Sequence, residues 1–378
     1  MITIKDLSLQ KITSFPMMPG TAFEAIDDIL WYATSMKASD IHIDPRISDI
    51  LIRLRIDGHI EEVGIWEKRL HEEIIARLKI LACVRTDLHA VPQDGRWKAS
   101  IRNEEFNIRV SFMLTYHGEN AVIRLLPARV PKHISFSKLG FTPDHVRMID
   151  HALKRPNGLI LATGPTGCGK TTTLHTCLSF KAREPLSIIT LEDPVEYEID
   201  GVRQVHIKHN LGITFPIGLR AALRQDPDVI MVGEIRDNET ARVAIHTALT
   251  GHLVFSTLHT NSALESILRL VDMNVDNYLL ASTLRLVISQ RLVRNICHEC
   301  SLAGCSSCRG TGYVGRSVIA EVCEIDSGLS QLIANKEAPS VIRDYVISKG
   351  FRPISEDGAE KVEWGVTTKE EILRVLAE

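Results

Sequence analysis

No run in this 378-residue sequence approaches the ~18 consecutive apolar residues that a membrane-spanning helix needs. A direct span is not expected, and any link to a membrane goes through a partner. The opening Met1-Ile2-Thr3-Ile4-Lys5-Asp6 lacks the basic segment followed by an apolar stretch that marks a signal peptide. Formal net charge is only -3, which argues against a dedicated nucleic-acid coat protein. Basic residues interleaved with aromatics are missing too, so no stable nucleic-acid partner is expected. Internal repeats and low-complexity tracts are absent. What remains is an ordinary globular composition, 44% hydrophobic and 24% charged, with length for two to three domains.

Residues from about Thr21 to Pro127 read as a mixed α/β unit. Apolar residues recur at helical spacing over Phe23–Ser35 and again over His71–Cys83. Short strands are expected at 41–44, 50–56, 96–101, 105–112 and 121–126, and Asp57-Gly58 is a hairpin turn signal. These boundaries define a domain at 1–127. Residues 128–140 carry Pro131 and little periodicity and read as a linker. From 141 to 378 the chain changes character: apolar strand-like runs at 159–163, 187–191, 229–232 and 253–258 each end in a polar cluster, with helical patterns between most of them. That alternation predicts a parallel sheet covered by helices. Residues after about Asp326 read as helical, with Thr368-Lys369-Glu370-Glu371 as a capping box for the last helix.

The strongest motif is Gly164-Pro165-Thr166-Gly167-Cys168-Gly169-Lys170-Thr171, a G-x-x-x-x-G-K-[ST] loop preceded by the apolar run 159–162. Its glycines let backbone N–H groups wrap phosphate oxygens, and the following helix offers its positive end. Lys170 is expected to reach the β- and γ-phosphates of ATP, the Thr171 hydroxyl to ligate Mg²⁺, and Thr172 to lie beside them. Two acids stand where neighbouring strands end, Glu192 after Ile188–Leu191 and Glu234 after Val229–Val232. One would hold Mg²⁺ and one would polarise the attacking water. Spacing does not assign the two roles; Glu234 is the preferred catalytic group. His252 and His259 bracket the run 253–258 and lie roughly 23 Å apart if it is extended. They cannot both touch one γ-phosphate. His259, at the carboxyl end, is the better phosphate sensor, and His252 belongs at the opposite end or near a subunit boundary.

Of eight cysteines, Cys83, Cys168, Cys177 and Cys323 are scattered, which fits a reducing cytosol better than a disulfide scaffold. Cys297, Cys300, Cys305 and Cys308 form two CxxC knuckles. Four thiolates suit a closed tetrahedral Zn²⁺ site, structural because no coordination position is left open.

Together these stretches resemble the traffic ATPases of type II secretion and type IV pilus assembly. The P-loop 164–171, Glu192–Tyr197 (similar to the aspartate box), Leu219–Asp237 (similar to the Walker B region) and Thr250–Asn261 (similar to the histidine box) carry the resemblance. Ala38–Ile43, Pro92–Arg96, the cysteine motif and Gly365–Glu371 extend it from about Thr21 to the end. The resemblance implies a RecA-like P-loop core with a small zinc-binding insertion at 297–308, preceded by a smaller mixed α/β, PAS-like domain. It also implies a homo-hexameric ring with Arg109 and Arg124 adding cationic contacts to phosphate. Arg220 and Arg224 fall in the motif before Walker B. An inner-membrane platform protein is the implied partner, and the place of work is cytoplasmic, peripheral to that membrane. On this resemblance the sequence is expected to start close to the second N-terminal domain, without the leading domain by which many members dock, and Ser111–Glu119 departs from the family's usual loop. The cysteine tetrad resembles the assembly and secretion branch. The competing classes are a hexameric RecA-type DNA translocase or helicase, a DNA-uptake pseudopilus motor, and a small-molecule kinase.

Overall fold

The computed structural model describes residues 2–3, 19–128 and 134–377. The chain divides into two compact units, Met1–Arg129 and Val130–Glu378. The expected linker 128–140 lies partly outside the described residues. Within its described part, Ser135 caps a short helix, Phe136–Leu139, whose Phe136 is buried with Phe141 and Leu178 in the core of the second unit.

The first unit is built on a seven-stranded sheet. Its order is Ile2–Thr3, Gln93–Ile101, Glu104–Thr115, Gly118–Pro127, Asp40–Pro45, Asp49–Ile56 and His59–Glu67, antiparallel except at the first pair. Asp49–Ile56 alternates half-buried and buried side chains, with Ile50, Ile52, Leu54 and Ile56 entering the core. Asp57 and Gly58 turn the hairpin with φ of 49° and 89°, both left-handed, as an Asp-Gly turn requires. Helices Ala22–Ser35 and His71–Leu81 pack on one another; Thr21 caps the first by accepting from the Glu24 N–H.

The second unit holds another seven-stranded sheet, ordered Arg203–His206, Ile188–Glu192, Val229–Val232, Leu253–Leu258, Gly158–Thr163, Leu284–Ile296 and Tyr313–Glu324. The first six are mutually parallel and the last is antiparallel. All four strands anticipated from the apolar runs are present, and their side chains are buried throughout, which is why they read as continuous apolar runs. The sequence reading did not anticipate Leu284–Ile296 and Tyr313–Glu324. Most residues of the first, including Ser289 and Gln290, are buried on both faces, so polar residues break the apolar run without marking a solvent face. Four helices follow, Ser327–Ala334, Pro339–Ser348, Ile354–Glu363 and Lys369–Ala377, in the region expected to be helical. The last is capped as expected on one side only: the Glu371 N–H donates to Thr368 Oγ1 at 3.2 Å. The Glu371 carboxylate takes Arg294 and Arg374 as its partners.

Candidate nucleotide site

The loop 164–169 leaves the end of strand Gly158–Thr163 and enters helix Lys170–Lys181. Gly164, Gly167 and Gly169 have φ of 138°, 80° and 91°, a conformation open to glycine and costly for other residues. Gly169 is the helix N-cap and supplies no side-chain hydrogen bond, so the first-turn N–H groups of the helix have no capping side chain. Lys170 is buried, and its Nζ donates to the carbonyls of Gly164 and Pro165 at 2.7 and 2.8 Å. Burial pulls its ammonium below the ordinary lysine range; Cys168 and Glu234 pull the other way. Thr171 is exposed in the first helical turn and Thr172 is half-buried. The Cys168 thiol is buried and held above its usual value by desolvation, which keeps it protonated and unreactive.

Glu234 follows strand Val229–Val232, whose neighbours are Ile188–Glu192 and Leu253–Leu258. Its carboxylate lies 2.6 Å from Arg236 Nη2 and 3.6 Å from His259 Nε2. Lys170 interacts electrostatically with both Glu234 and His259, so the structure gathers all three about the P-loop. Burial, then Lys170, lowers the His259 pKa, against the opposing pull of Glu234. The imidazole is therefore neutral near pH 7. The histidine segment is tied to the P-loop strand through Thr163, whose Oγ1 meets Thr260 Oγ1 at 2.6 Å and accepts from the Thr260 N–H at 3.1 Å.

Glu192 has a different environment. It is buried, and its carboxylate accepts from Thr190 Oγ1 at 2.6 Å and Gln204 Nε2 at 2.9 Å, with His175 Nε2 at 3.3 Å. Desolvation raises its pKa, but His175, Gln204 and Thr190 together outweigh that and leave it lowered. His175 and Gln204 were not singled out from the sequence; neither belongs to a motif, and helix packing places the first and strand register the second. His252 sits before strand Leu253–Leu258, at the edge opposite His259, with Nδ1 3.1 Å from the Thr247 carbonyl.

Arg109 and Arg124 belong to the first unit. They stand directly opposite one another across the strands Glu104–Thr115 and Gly118–Pro127. The row continues to Arg96 on one side and to Asp40 and Arg55 on the other. Arg124 Nε donates to Asp40 Oδ1 at 2.8 Å. Like charges directly opposite destabilise a sheet, so three arginines in one cross-strand row are unexpected on stability grounds alone. Arg96 was missed because only register aligns it with the other two. Arg220 pairs with Glu239 at 2.8 Å, and Arg224 Nη1 donates to the Arg220 carbonyl, both on the surface.

The cysteine tetrad lies between the last two strands of the sheet. The Sγ atoms of Cys297, Cys300, Cys305 and Cys308 all fall within 4.8 Å of one another, with separations of 3.6 and 3.7 Å across three pairs. Zn–S bonds of ~2.3 Å at tetrahedral angles place sulfurs about 3.8 Å apart, so the donor set fits a single metal ion. Backbone N–H groups of Cys305 and Gly312 aim at Cys308 Sγ from 3.1 and 3.2 Å. Desolvation opposes them, yet they help draw that thiol down to about 6, towards the thiolate a metal needs. Among the described residues, no helix is long and apolar enough to cross a membrane.

Known proteins resemble this chain over most of its length. The chain is 42% identical over 358 residues to the type II secretion system protein HxcR of Pseudomonas aeruginosa, covering 93% of this chain and 76% of that protein. It is 38% identical over 379 residues to the type II secretion system ATPase E of Vibrio cholerae, covering 93% and 75%. Among solved structures, the pilus retraction motor PilT with bound ADP aligns at TM-score 0.67 and 29% identity over 92% of this chain and 95% of that one. The ATPase DotB of Legionella pneumophila shares the fold at TM-score 0.77 and 22% identity over 97% and 99%. The family model described as type II/IV secretion system protein matches residues 20–374, and the chain belongs to that family.

Proposed function

We propose that this chain is an ATP-hydrolysing motor that powers type II secretion or type IV pilus assembly, working as a homo-hexamer on the cytoplasmic side of the inner membrane with a platform protein as partner. The observation that carries the chemistry is the gathering of Glu234 and His259 about Lys170 at the mouth of the P-loop. Lys170 and the helix N-terminus hold the β- and γ-phosphates. Thr171 would hold Mg²⁺, which neutralises charge on the transferring phosphoryl group. Glu234 accepts the proton of the attacking water, so that ATP and water yield ADP and phosphate. The neutral His259 imidazole sits where it can report on the γ-phosphate. Glu192, enclosed by His175, Gln204 and Thr190, is better suited to orienting this edge of the site than to acting as the base.

Arg109 and Arg124 supply cationic contacts to phosphate in this reading. The cost of stacking them with Arg96 across the sheet supports an anion as their purpose. The largely antiparallel sheet and packed helix pair of the first unit support the PAS-like description, with 128–140 as linker. Cys297, Cys300, Cys305 and Cys308 would hold a structural Zn²⁺ that closes the hairpin end.

Phosphate release from ATP by the purified chain tests the reading. Glu234→Gln should lower kcat by about a hundredfold or more with KM changed little, the signature of a lost general base. Lys170→Ala should release no phosphate. Wild-type protein that releases none, or Glu234→Gln that matches wild type, refutes it. Strong stimulation by DNA that weakens steeply with salt would instead indicate a nucleic-acid translocase.

A further inference from the structure

The P-loop does not hold its shape alone; its underside rests on strand Leu284–Ile296. Gln290 of that strand is fully buried, and its side chain makes two hydrogen bonds into the loop and helix. Nε2 donates to the Cys168 carbonyl at 2.8 Å, and Oε1 accepts from Thr173 Oγ1 at 2.8 Å. The first bond fixes which end of the amide faces the loop, because a carbonyl only accepts. Close contact continues on either side. A Cβ built on Gly169 would stand 3.1 Å from Gln290 Nε2 and 3.7 Å from Leu292, and one on Gly164 would stand 2.5 Å from the Gln290 carbonyl.

We propose that Gln290 is a positioning residue for the phosphate cradle, holding the Cys168–Gly169 peptide so that its N–H faces the nucleotide phosphates. The inference rests on the reading of this loop as the ATP site. The argument is one of peptide geometry. The Cys168 carbonyl and the Gly169 N–H belong to one planar trans unit and point in opposite directions. Tying the carbonyl to Gln290, beneath the loop, therefore turns the Gly169 N–H to the other side. With glycine at 169, that peptide could otherwise rotate at little steric cost and present a carbonyl oxygen to the phosphates, replacing attraction with repulsion. A buried carbonyl that loses its donor gains a further reason to rotate towards water. The neighbouring Arg291 extends the same support: its Nη2 lies 3.3 Å from both the carbonyl and Oδ1 of Asn261, two residues beyond His259. One strand thus underlies both the phosphate loop and the histidine segment.

Gln290→Met keeps the side chain's length and volume and removes both hydrogen bonds. In the full chain it should weaken binding of a fluorescent ADP analogue by about tenfold or more, the scale of one lost phosphate contact. The KM for ATP should rise in parallel while kcat changes less than about threefold, because Glu234 and His259 are untouched. Amide exchange at Gly169 and Lys170, followed with ADP present, should lose its ligand-induced protection. If Gln290→Met does not fold, Thr173→Val keeps the Cys168 bond but removes the second bond that steadies the amide, and should give a smaller rise in Kd of the same kind. Unchanged ADP affinity and KM in a folded Gln290→Met or Thr173→Val protein, with only the melting temperature lowered, makes Gln290 a core residue and overturns the proposal. Wild-type protein measured alongside separates the two claims: ADP binding with no phosphate release overturns the motor reading alone, and absence of ADP binding overturns both.

Discussion

Glu371→Gln should loosen the last helix in a way that depends on pH. The Glu371 carboxylate is buried, accepts from Arg294 Nη2 at 2.7 Å and Arg374 Nη2 at 2.7 Å, and also accepts from the Arg294 backbone N–H at 3.1 Å. Burial raises its pKa, but the two guanidinium groups and the backbone N–H outweigh it and bring the carboxyl from an ordinary 4.5 to about 2. A folded-state pKa below the unfolded one stabilises the fold above the unfolded value, and that stability is lost as pH falls through the folded one. A shift of that size corresponds to about 3 kcal/mol at neutral pH. Because glutamine keeps a neutral acceptor and Arg374 is partly exposed, about 2–3 kcal/mol should be lost. The Thr368 cap survives, since it uses the backbone N–H of residue 371. Hydrogen exchange of the 366–377 segment provides the assay: protection should fall about 30- to 100-fold at pH 7. At pH 3, between the two pKa values, the difference should shrink to about tenfold. A ratio below about threefold at pH 7, or one that stays constant down to pH 3, would refute the assignment of this shift to the Arg294–Glu371–Arg374 cluster.

Gly164→Ala should abolish nucleotide binding and destabilise the chain. The new Cβ would meet the Gln290 carbonyl at 2.5 Å and Cys168 Sγ at 2.6 Å at a φ of +138°, adding about 1–3 kcal/mol of backbone strain before any clash relaxes. Titration with ADP and thermal melting report both effects; full binding by the variant would contradict the observed loop packing. Wild-type chain purified in reductant should carry about one zinc per chain by elemental analysis, and Cys305→Ser much less. Limited proteolysis between 297 and 312 should accelerate in that variant, and equal metal content in the two proteins would remove the zinc assignment.

Much of the nucleotide site was legible because its chemistry is local. The P-loop, the acids after two strands and His259 each sit within a few residues of a continuous apolar run, and an open parallel sheet brings the carboxyl ends of such runs together. The supports of the site were not legible. His175, Gln204 and Thr190 reach Glu192, and Arg96 joins Arg109 and Arg124, only through register and helix packing. The capping box was read correctly as a box and half wrongly as a set of bonds: Thr368 behaves as expected, whereas Glu371 is drawn away by Arg294, 77 residues earlier in the chain.

The strand Leu284–Ile296 shows why such supports escape a linear reading. Its polar residues Ser289, Gln290 and Arg291 interrupt the apolar pattern that would mark a strand, yet all three are buried. A buried polar side chain must find partners, and here the partners are parts of the site: Ser289 and Arg291 meet Asn261, and Gln290 meets Cys168 and Thr173. The features that hid the strand are those that connect it to the chemistry. The same strand runs on into Cys297 and receives Glu371 through Arg294, so one strand carries contacts to the P-loop, the cysteine tetrad and the last helix.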